Sequence, residues 1–459
     1  MGKKYTVRCR ELDSEGRGIV EFNQSTFSVP YLLPGEKAEI SLVYGRNKTG
    51  AKLESVQTPS PERVEPLCPM YRRCGGCTLM HLNYEGQLRW KQSVVERAVA
   101  GIALQKGQKK AALDPPKILP ILGMEGDPLY YRNKIHSTFA KNPRNEAVIG
   151  LYEEATHHVV PVKLCAIEQP VAARIRKTVL RFAREQNIPI YNEDTGRGVL
   201  RHLMFRVAKN GGVMVVIVVG QGIFREKSLL ADAIVKQHPE VKTVVLNYNP
   251  KKTTMVLGNR EETLYGNGYL EDVVGGCTFR LSPRSFYQVN APQMERLYRV
   301  AVEFAALRPS ENVVDAYCGI GTITLLLAKS QPKAEIAGVE LNPEAVADAG
   351  NNAKRNRLQN VTFTCADAGD YLKGMAALGC KLSVLVLDPP RGGCSDDFLK
   401  ACLALRPERV VYISCNPETF ARDCRALEAA YHLTRVQPVD MFPQTAKVEL
   451  VARLERRSF

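Results

Sequence analysis

No apolar run in this 459-residue sequence approaches the ~20 residues that a membrane-crossing helix needs; the longest lies around Val213 to Val219. The opening residues MGKKYTVRCREL lack the apolar core of a signal peptide. They match the myristoylation pattern at Met1, Gly2 and Thr6, a consensus short enough for chance to supply. Internal repeats and low-complexity tracts are absent. Hydrophobic content of 45% and charged content of 24% exclude bulk disorder and a small disulfide-stapled scaffold. The expectation is a cytoplasmic protein with no membrane association and no evident obligate protein partner. In that compartment, thirteen cysteines point to thiols, metal or catalysis rather than disulfides.

Acidic excess is also lacking. The net charge is +15, and it is unevenly placed. Residues 310–459 carry 18 basic and 18 acidic side chains, so residues 1–309 hold the remaining 45 basic and 30 acidic ones. A neutral chemical module attached to modules that hold a polyanion would look like this. Solubilising surface lysine would look the same. The segments Val171–Gln186 and Gly107–Lys110 carry much of the excess, as solvated faces or as phosphate-contacting surfaces.

Three segments follow from patterning. Residues 1–60 read as short strands (YTVRCREL, GRGIVEF, STFSVPYLL, KAEISLVYG and AKLESVQ) punctuated by Gly16, Gly18, Pro34-Gly35 and Gly50, the pattern of a small β-barrel. Pro59, Pro61 and Pro66 form a linker. Residues 61–283 are mixed α+β, with a helix over SVVERAVAGIAL and a hairpin turning at Asn210-Gly211. Across residues 284–459 buried strands alternate with helices, which predicts a parallel α/β sheet.

That sheet carries a ligand-site pattern. NVVDAYCGIGTITLLLA reads as strand, tight glycine loop and helix, with Gly319 and Gly321 allowing close backbone approach. The next strand ends in Glu340, a carboxylate able to accept both hydroxyls of a ribose. Asp367 and Asp388 end later strands. The phosphate-binding GxGxxG is missing, so the set suits a Rossmann-like S-adenosylmethionine-dependent methyltransferase better than a dehydrogenase. Helix caps and turn acids would explain any one of these residues, but not all of them together. Cys415 stands where a buried strand ends and Asn416-Pro417 turns into a helix, a place where a thiol pKa can be depressed. Glu449 sits among apolar residues, where burial raises a carboxyl pKa toward that of a useful base. A core cysteine and an exposed strand carboxylate are the plain alternatives. The pair has a chemical rationale: carbon 5 of uracil is a poor nucleophile until a thiolate adds to carbon 6, and a base must then remove the carbon-5 proton.

With SCNP at Cys415, DPPR at Asp388 and the segment SFYQVN (Ser285–Asn290), nearly the whole chain resembles the RNA (uracil-5-)-methyltransferase family. The N-terminal strands resemble its TRAM domain, an OB-like RNA-holding barrel. The middle segment resembles the iron–sulfur domain of the branch acting on 23S ribosomal RNA, and the resemblance implies that a helical piece near Leu88–Leu104 packs with the catalytic domain despite lying early in the chain. The resemblance makes Cys415 the nucleophile and Glu449 the proton acceptor. It places Gln288, Tyr317, Thr322, Glu340, Asp367 and Asp388 at S-adenosylmethionine; Thr322 stands where some members carry Asn. Cys394, near the same strand end, is the rival nucleophile. Cys318, Cys365, Cys380, Cys402 and Cys424 read as buried small residues. Phe286 and Tyr287 are candidates to stack on the base or to pack the core.

Cys68, Cys74 and Cys77 give C-x5-C-x2-C. Structural zinc sites use two C-x2–4-C pairs, and only one such pair is present. Three clustered thiolates with one distant cysteine suit a [4Fe–4S] centre. The family pattern makes Cys165 the fourth ligand, rather than Cys9 or Cys277. His81, His157 and His158 read as polar surface or, less simply, as metal ligands. The expected activity is methylation of carbon 5 at one or two uridines of 23S ribosomal RNA, through a covalent adduct between cysteine and uracil carbon 6. The alternatives are the same chemistry on the T-loop of transfer RNA, an inactive RNA-binding protein, and a small-molecule methyltransferase.

Overall fold

The computed structural model describes residues 3–44, 49–103, 115–153 and 156–457. Met1, Gly2, Leu104 and the basic segment 107–110 therefore lie outside the described residues. Five antiparallel strands open the chain: β1 Lys4–Leu12, β2 Gly18–Phe22, β3 Ser25–Val29, β4 Lys37–Tyr44 and β5 Thr49–Thr58, in the order β3-β2-β1-β4-β5. Alternate side chains turn inward, so Val7, Cys9, Val20, Val29, Ala38 and Ile40 make one small core, and β3 packs back against β5. The proline-rich linker is pinned rather than loose. The buried Glu36 carboxylate accepts from the Ser60 amide at 3.0 Å and from the Arg63 guanidinium at 2.6 Å.

Helix α1 (Tyr84–Ala103) and the short strand β6 (Lys117–Ile118) follow, and then a seven-stranded sheet. Its strands are β7 Lys134–Lys141, β8 Ala147–Tyr152, β9 Val159–Pro161, β10 Gly198–Val207, β11 Val213–Gln221, β12 Val241–Tyr248 and β13 Arg260–Tyr265, ordered β13-β12-β11-β10-β7-β8-β9. The β10–β11 hairpin closes through Ala208 and Gly212, with Gly211 in the left-handed region at φ +83°. Helices α2 (Pro170–Glu185) and α3 (Lys227–Gln237) cover one face through Ile175, Val179, Leu230 and Ile234. The other face, with Met204, Val216, Val218 and Val245, joins the core of the C-terminal unit. Burial on both faces explains why VMVVIVVG is continuously apolar rather than alternating.

The C-terminal unit begins with the hairpin β14 (Leu270–Val274) and β15 (Cys277–Leu281) and helix α4 (Ala291–Ala305). Alternation follows: β16 Asn312–Ala316, α5 Thr322–Ser330, β17 Glu335–Glu340, α6 Pro343–Arg355, β18 Val361–Cys365, α7 Ala368–Ala377, β19 Val384–Leu387, α8 Asp396–Leu405, β20 Arg409–Ser414 and α9 Pro417–Leu427. Strands β21 (Tyr431–Val439) and β22 (Glu449–Arg456) complete the sheet, whose order is β18-β17-β16-β19-β20-β22-β21-β6. The first five are parallel, and the strand order reverses between β16 and β19, the place where open α/β sheets bind ligands.

The stretch 61–283 divides by its packing. β6 adds in parallel to the edge strand β21, and α1 lies against α9, so both complete the C-terminal sheet from early in the chain. Among the described residues, no helix is long and apolar enough to cross a membrane.

Candidate active site

The loop after β16 holds Tyr317, Gly319 and Gly321 at φ +64°, +55° and +81°. Three left-handed residues in five make the tight turn that a strand-to-helix entry needs. A Cβ on Gly321 would meet Leu325 and Phe363 at 3.1 Å, so the loop is seated on side chains there. A Cβ on Gly319 would meet nothing within 4 Å, so space opens above that backbone. Glu340, at the end of β17, accepts from the amides of Gly319 (3.1 Å) and Asn342 (2.9 Å). Asp367 caps α7, accepting from the amides of Gly369 (2.8 Å) and Asp370 (3.1 Å). Thr322 opens α5 and is buried. Gln288 is buried between β15 and α4, and its carbonyl accepts from the Asn133 side chain at 3.1 Å.

Two aspartates lie beside that loop, Asp315 buried and Asp388 half-buried. Asp315 accepts from the Thr324 hydroxyl at 2.5 Å, and burial pushes its carboxyl up to about 7. Its other oxygen has no partner among the described residues. Asp388, at the end of β19, is pushed up to about 7 by burial and then by Asp315. An unpartnered carboxylate oxygen, an open space over Gly319 and a carboxylate at the end of β17 fit a cationic adenosyl donor.

Cys415 follows β20 and precedes the helix cap Asn416, whose side chain accepts from the Glu418 amide at 3.0 Å. The thiol lines a cavity of about 400 Å³ shared with Arg132, Arg391 and Lys447. The depressed thiol pKa expected from the helix N-terminus is not found. Burial pushes the Cys415 thiol up, and Glu449 and Asp388 add to that push, while Arg391 opposes it. Burial is the larger cause, and the carboxylates that β19 and β22 bring near the sulfur add to it. Glu449, the first residue of β22, is buried, and its carboxyl is raised as expected: first by burial, then by Asp388, again opposed by Arg391. Cys394 points elsewhere, with its sulfur 3.9 Å from the Tyr412 hydroxyl inside a hydrophobic cluster. Cys318, Cys402 and Cys424 are buried as expected, but Cys365 and Cys380 are exposed because they stand at the ends of a strand and a helix. Tyr287 is a core residue whose hydroxyl donates to Asp272 at 3.1 Å, whereas Phe286 is 65% exposed.

Cys68, Cys74, Cys77 and Cys165 line a second cavity of about 310 Å³. Burial raises the thiols of Cys74, Cys77 and Cys165, the last to about 12, and neighbouring thiols add to the effect. Among the described residues, no group of three His, Cys, Asp or Glu is arranged to hold a metal ion. His157 and His158 are exposed, but His81 is buried, 2.6 Å from the Tyr71 hydroxyl, and burial lowers it to about 3. Gly75, Gly76 and Arg132 border both cavities, so one wall separates the four cysteines from Cys415.

The segment between β21 and β22, which leads into Glu449, is held from far away in sequence. Lys91 of α1, fully buried, donates to Asp440 at 2.5 Å and to the Phe442 carbonyl at 3.0 Å. Tyr84 donates to the other Asp440 oxygen at 2.8 Å. Thr78 and Leu79, just after Cys77, donate backbone amides to the Gln444 carbonyl, each at 3.0 Å, and the Thr78 hydroxyl accepts from the Ala446 amide at 2.9 Å. Sequence reasoning passed over Arg132, Arg391, Lys447 and Asp315 as site residues. Arg391 had a signal in its place directly after Asp388-Pro389-Pro390; Arg132 and Lys447 had none, because only folding brings them to Cys415.

Comparison with known proteins bears on the family and the fold. The tRNA (uracil-5-)-methyltransferase family profile matches residues 269–457. An uncharacterized RNA methyltransferase of Halalkalibacterium halodurans is 39% identical over 98% of this chain and 97% of its own length. Proteins described in the same words from Oceanobacillus iheyensis and Staphylococcus aureus are each 38% identical, over 98% and 96% of this chain and 96% of their own lengths. The crystal structure of Pyrococcus abyssi tRNA (uracil-54, C5)-methyltransferase with S-adenosyl-L-homocysteine shares the fold. Its TM-score is 0.77 over 98% of this chain and 100% of that one, at 24% identity.

Proposed function

Because this chain belongs to the RNA (uracil-5-)-methyltransferase family, whose enzymes use S-adenosylmethionine, we propose that it methylates carbon 5 of one or two uridines in 23S ribosomal RNA in the cytoplasm, by way of a covalent cysteine adduct. The observation that carries this reading is the grouping of Cys415, Glu449, Asp388 and Arg391, which act electrostatically on one another where β19, β20 and β22 end.

In this mechanism the Cys415 thiolate forms a bond to carbon 6 of the uracil, and the electron pair of the 5,6 double bond moves toward the carbon-4 oxygen. S-adenosylmethionine supplies the methyl group on a cationic sulfur. Carbon 5 takes the methyl as the sulfur–methyl bond breaks and S-adenosylhomocysteine forms. Glu449 then accepts the carbon-5 proton, the 5,6 double bond re-forms, and the carbon–sulfur bond breaks to return the thiolate. Arg391 is the charged side chain that favours the ionised form of both groups. Gln288, Tyr317, Thr322, Glu340, Asp367 and Asp388 hold the methyl donor. The target base must leave its stack to reach the half-buried sulfur.

In the same reading the five-stranded barrel is a TRAM domain that holds RNA. Cys68, Cys74, Cys77 and Cys165 hold a [4Fe–4S] cluster, which suits a cavity of about 310 Å³ lined by four thiols. The cluster would tie the 68–77 loop to Cys165, and none of the steps above transfers an electron. Cys74→Ser is expected to lower RNA affinity and rate together, with the cluster absorbance lost and no response to added reductant. Unchanged folding, affinity and rate would remove this role.

The second reading is a transfer-RNA uridine, favoured by the structural likeness to a transfer-RNA enzyme. The deciding experiment incubates anaerobically purified enzyme and S-adenosylmethionine with unmodified 23S ribosomal RNA and, separately, transfer RNA, then maps 5-methyluridine by mass spectrometry of nuclease fragments. Sites in ribosomal RNA alone support the first reading. Sites in transfer RNA alone replace it with the second. No methylation with either RNA, from enzyme with its cluster intact, overturns both.

A further inference from the structure

The cavity at Cys415 is lined by two basic side chains, Arg132 and Lys447, that the methyl-transfer steps above do not use, beside Arg391, which they do. Arg132 reaches it from the segment between β6 and β7, Arg391 from the loop after β19, and Lys447 from the segment before β22. Among the described residues, none of these three side chains forms an ion pair. All three border one shared space of about 400 Å³, within the size range of small-ligand pockets. The carboxylates of Glu15 and Glu418 also border that space, and neither pairs with a cation there. The balance is positive: burial and then Arg391 and Arg132 push the Lys447 ammonium down, and Glu15 opposes them by less. Three cationic side chains that outnumber the two carboxylates bordering the same space repel one another, and an anion entering there relieves that repulsion.

The uridine that Cys415 would attack arrives attached to its own anions. Resting on the reading above, we propose that Arg132, Lys447 and Arg391 form the binding site for a phosphodiester group flanking the target uridine. This clamp fixes the nucleotide while its base is out of the stack, and phosphate contacts of this kind position a nucleic acid without reading its sequence. Arg132 also borders the cavity of the four cysteines, and its amide donates to the Ile167 carbonyl at 2.8 Å, two residues after Cys165. One arm of the clamp is therefore built on the cysteine-bearing segment.

The test is the salt dependence of binding to an RNA fragment that the wild-type enzyme methylates, measured by fluorescence anisotropy with S-adenosylhomocysteine present. Removing one contact to single-stranded RNA lowers the magnitude of the slope of log K against log salt by about 0.7. Lys447→Ala is expected to show that change and to weaken binding about 5- to 20-fold at moderate salt, alike for RNA fragments of different sequence. Lys447→Arg should restore the slope. Arg132→Gln should lower it by the same amount, with its cluster absorbance checked because it neighbours the cysteines. Lys447→Ala lies away from them and decides the matter if Arg132→Gln does not fold. A Lys447→Ala enzyme that binds S-adenosylhomocysteine normally and keeps the wild-type slope overturns the clamp while leaving the methylation reading intact. A wild-type enzyme that methylates no RNA overturns both.

Discussion

Glu449 and Cys415 are each most useful ionised, and each is held toward its neutral form by burial and by nearby carboxylates. The sign follows directly. Both pKa values lie above their ordinary values, so the active fraction of each grows as pH rises. Single-turnover rates are expected to climb through neutrality into the alkaline range, and a flat profile from pH 6 to 9 would contradict these assignments. Glu449→Gln should allow attack and methyl transfer but not release, so a covalent enzyme–RNA species accumulates in intact-mass spectra; Cys415→Ala should show none. Asp388 and Asp315 have folded values near 7 against an ordinary 3.8. The stability they lend is present below about pH 4 and is lost as pH rises through 7. Asp388→Asn is therefore expected to stabilise the protein by about 1–3 kcal/mol at pH 8, and by little at pH 4, while weakening donor binding. Denaturant melts at the two pH values check this. The burial that raises Glu449 was legible in KVELVARL. The rise at Cys415 was not, because its carboxylate neighbours come from strands that are adjacent only in the folded sheet.

The strands and the glycine loop were readable as elements because period and punctuation are local properties of sequence. The hairpin at Asn210-Gly211 and the loop at Gly319 formed where turn chemistry required them. No local pattern pairs α1 with Asp440, 349 residues away; only the family resemblance set a helical piece near Leu88–Leu104 beside the catalytic domain, and α1 does pack on α9 there. Lys91→Met alone should cost about 3–5 kcal/mol, because it leaves the Asp440 carboxylate buried and uncompensated. Combining it with Asp440→Leu should recover most of that stability but not the methylation rate, since the segment before Glu449 loses its anchor. Thermal melts and single-turnover assays on the two variants separate these effects.

At the scale of the whole molecule, the cavity at Cys415 is bordered by the turn between β1 and β2 at Ser14 and Glu15, by the cysteine loop at Gly75 and Gly76, and by the C-terminal unit. The charge asymmetry in the sequence had suggested a neutral chemical module beside basic holding modules, and two of the basic side chains on α2 pair within the chain. On α2, Arg174 pairs with Glu240 at 2.7 Å and the buried Arg176 with Glu168 at 2.6 Å. Substituting the buried Arg176 would test folding rather than RNA binding. The pairing of Lys91 with Asp440 also bears on the order in which the chain can mature. An ammonium without its counter-charge is expensive to enclose, so α1 settles only after Asp440 has left the ribosome, more than three hundred residues later. The catalytic sheet is in this sense closed from both ends at once. A chain interrupted before Tyr431 would leave α1 unseated and β6 without its neighbour β21, a state that proteases and chaperones can tell from the finished enzyme.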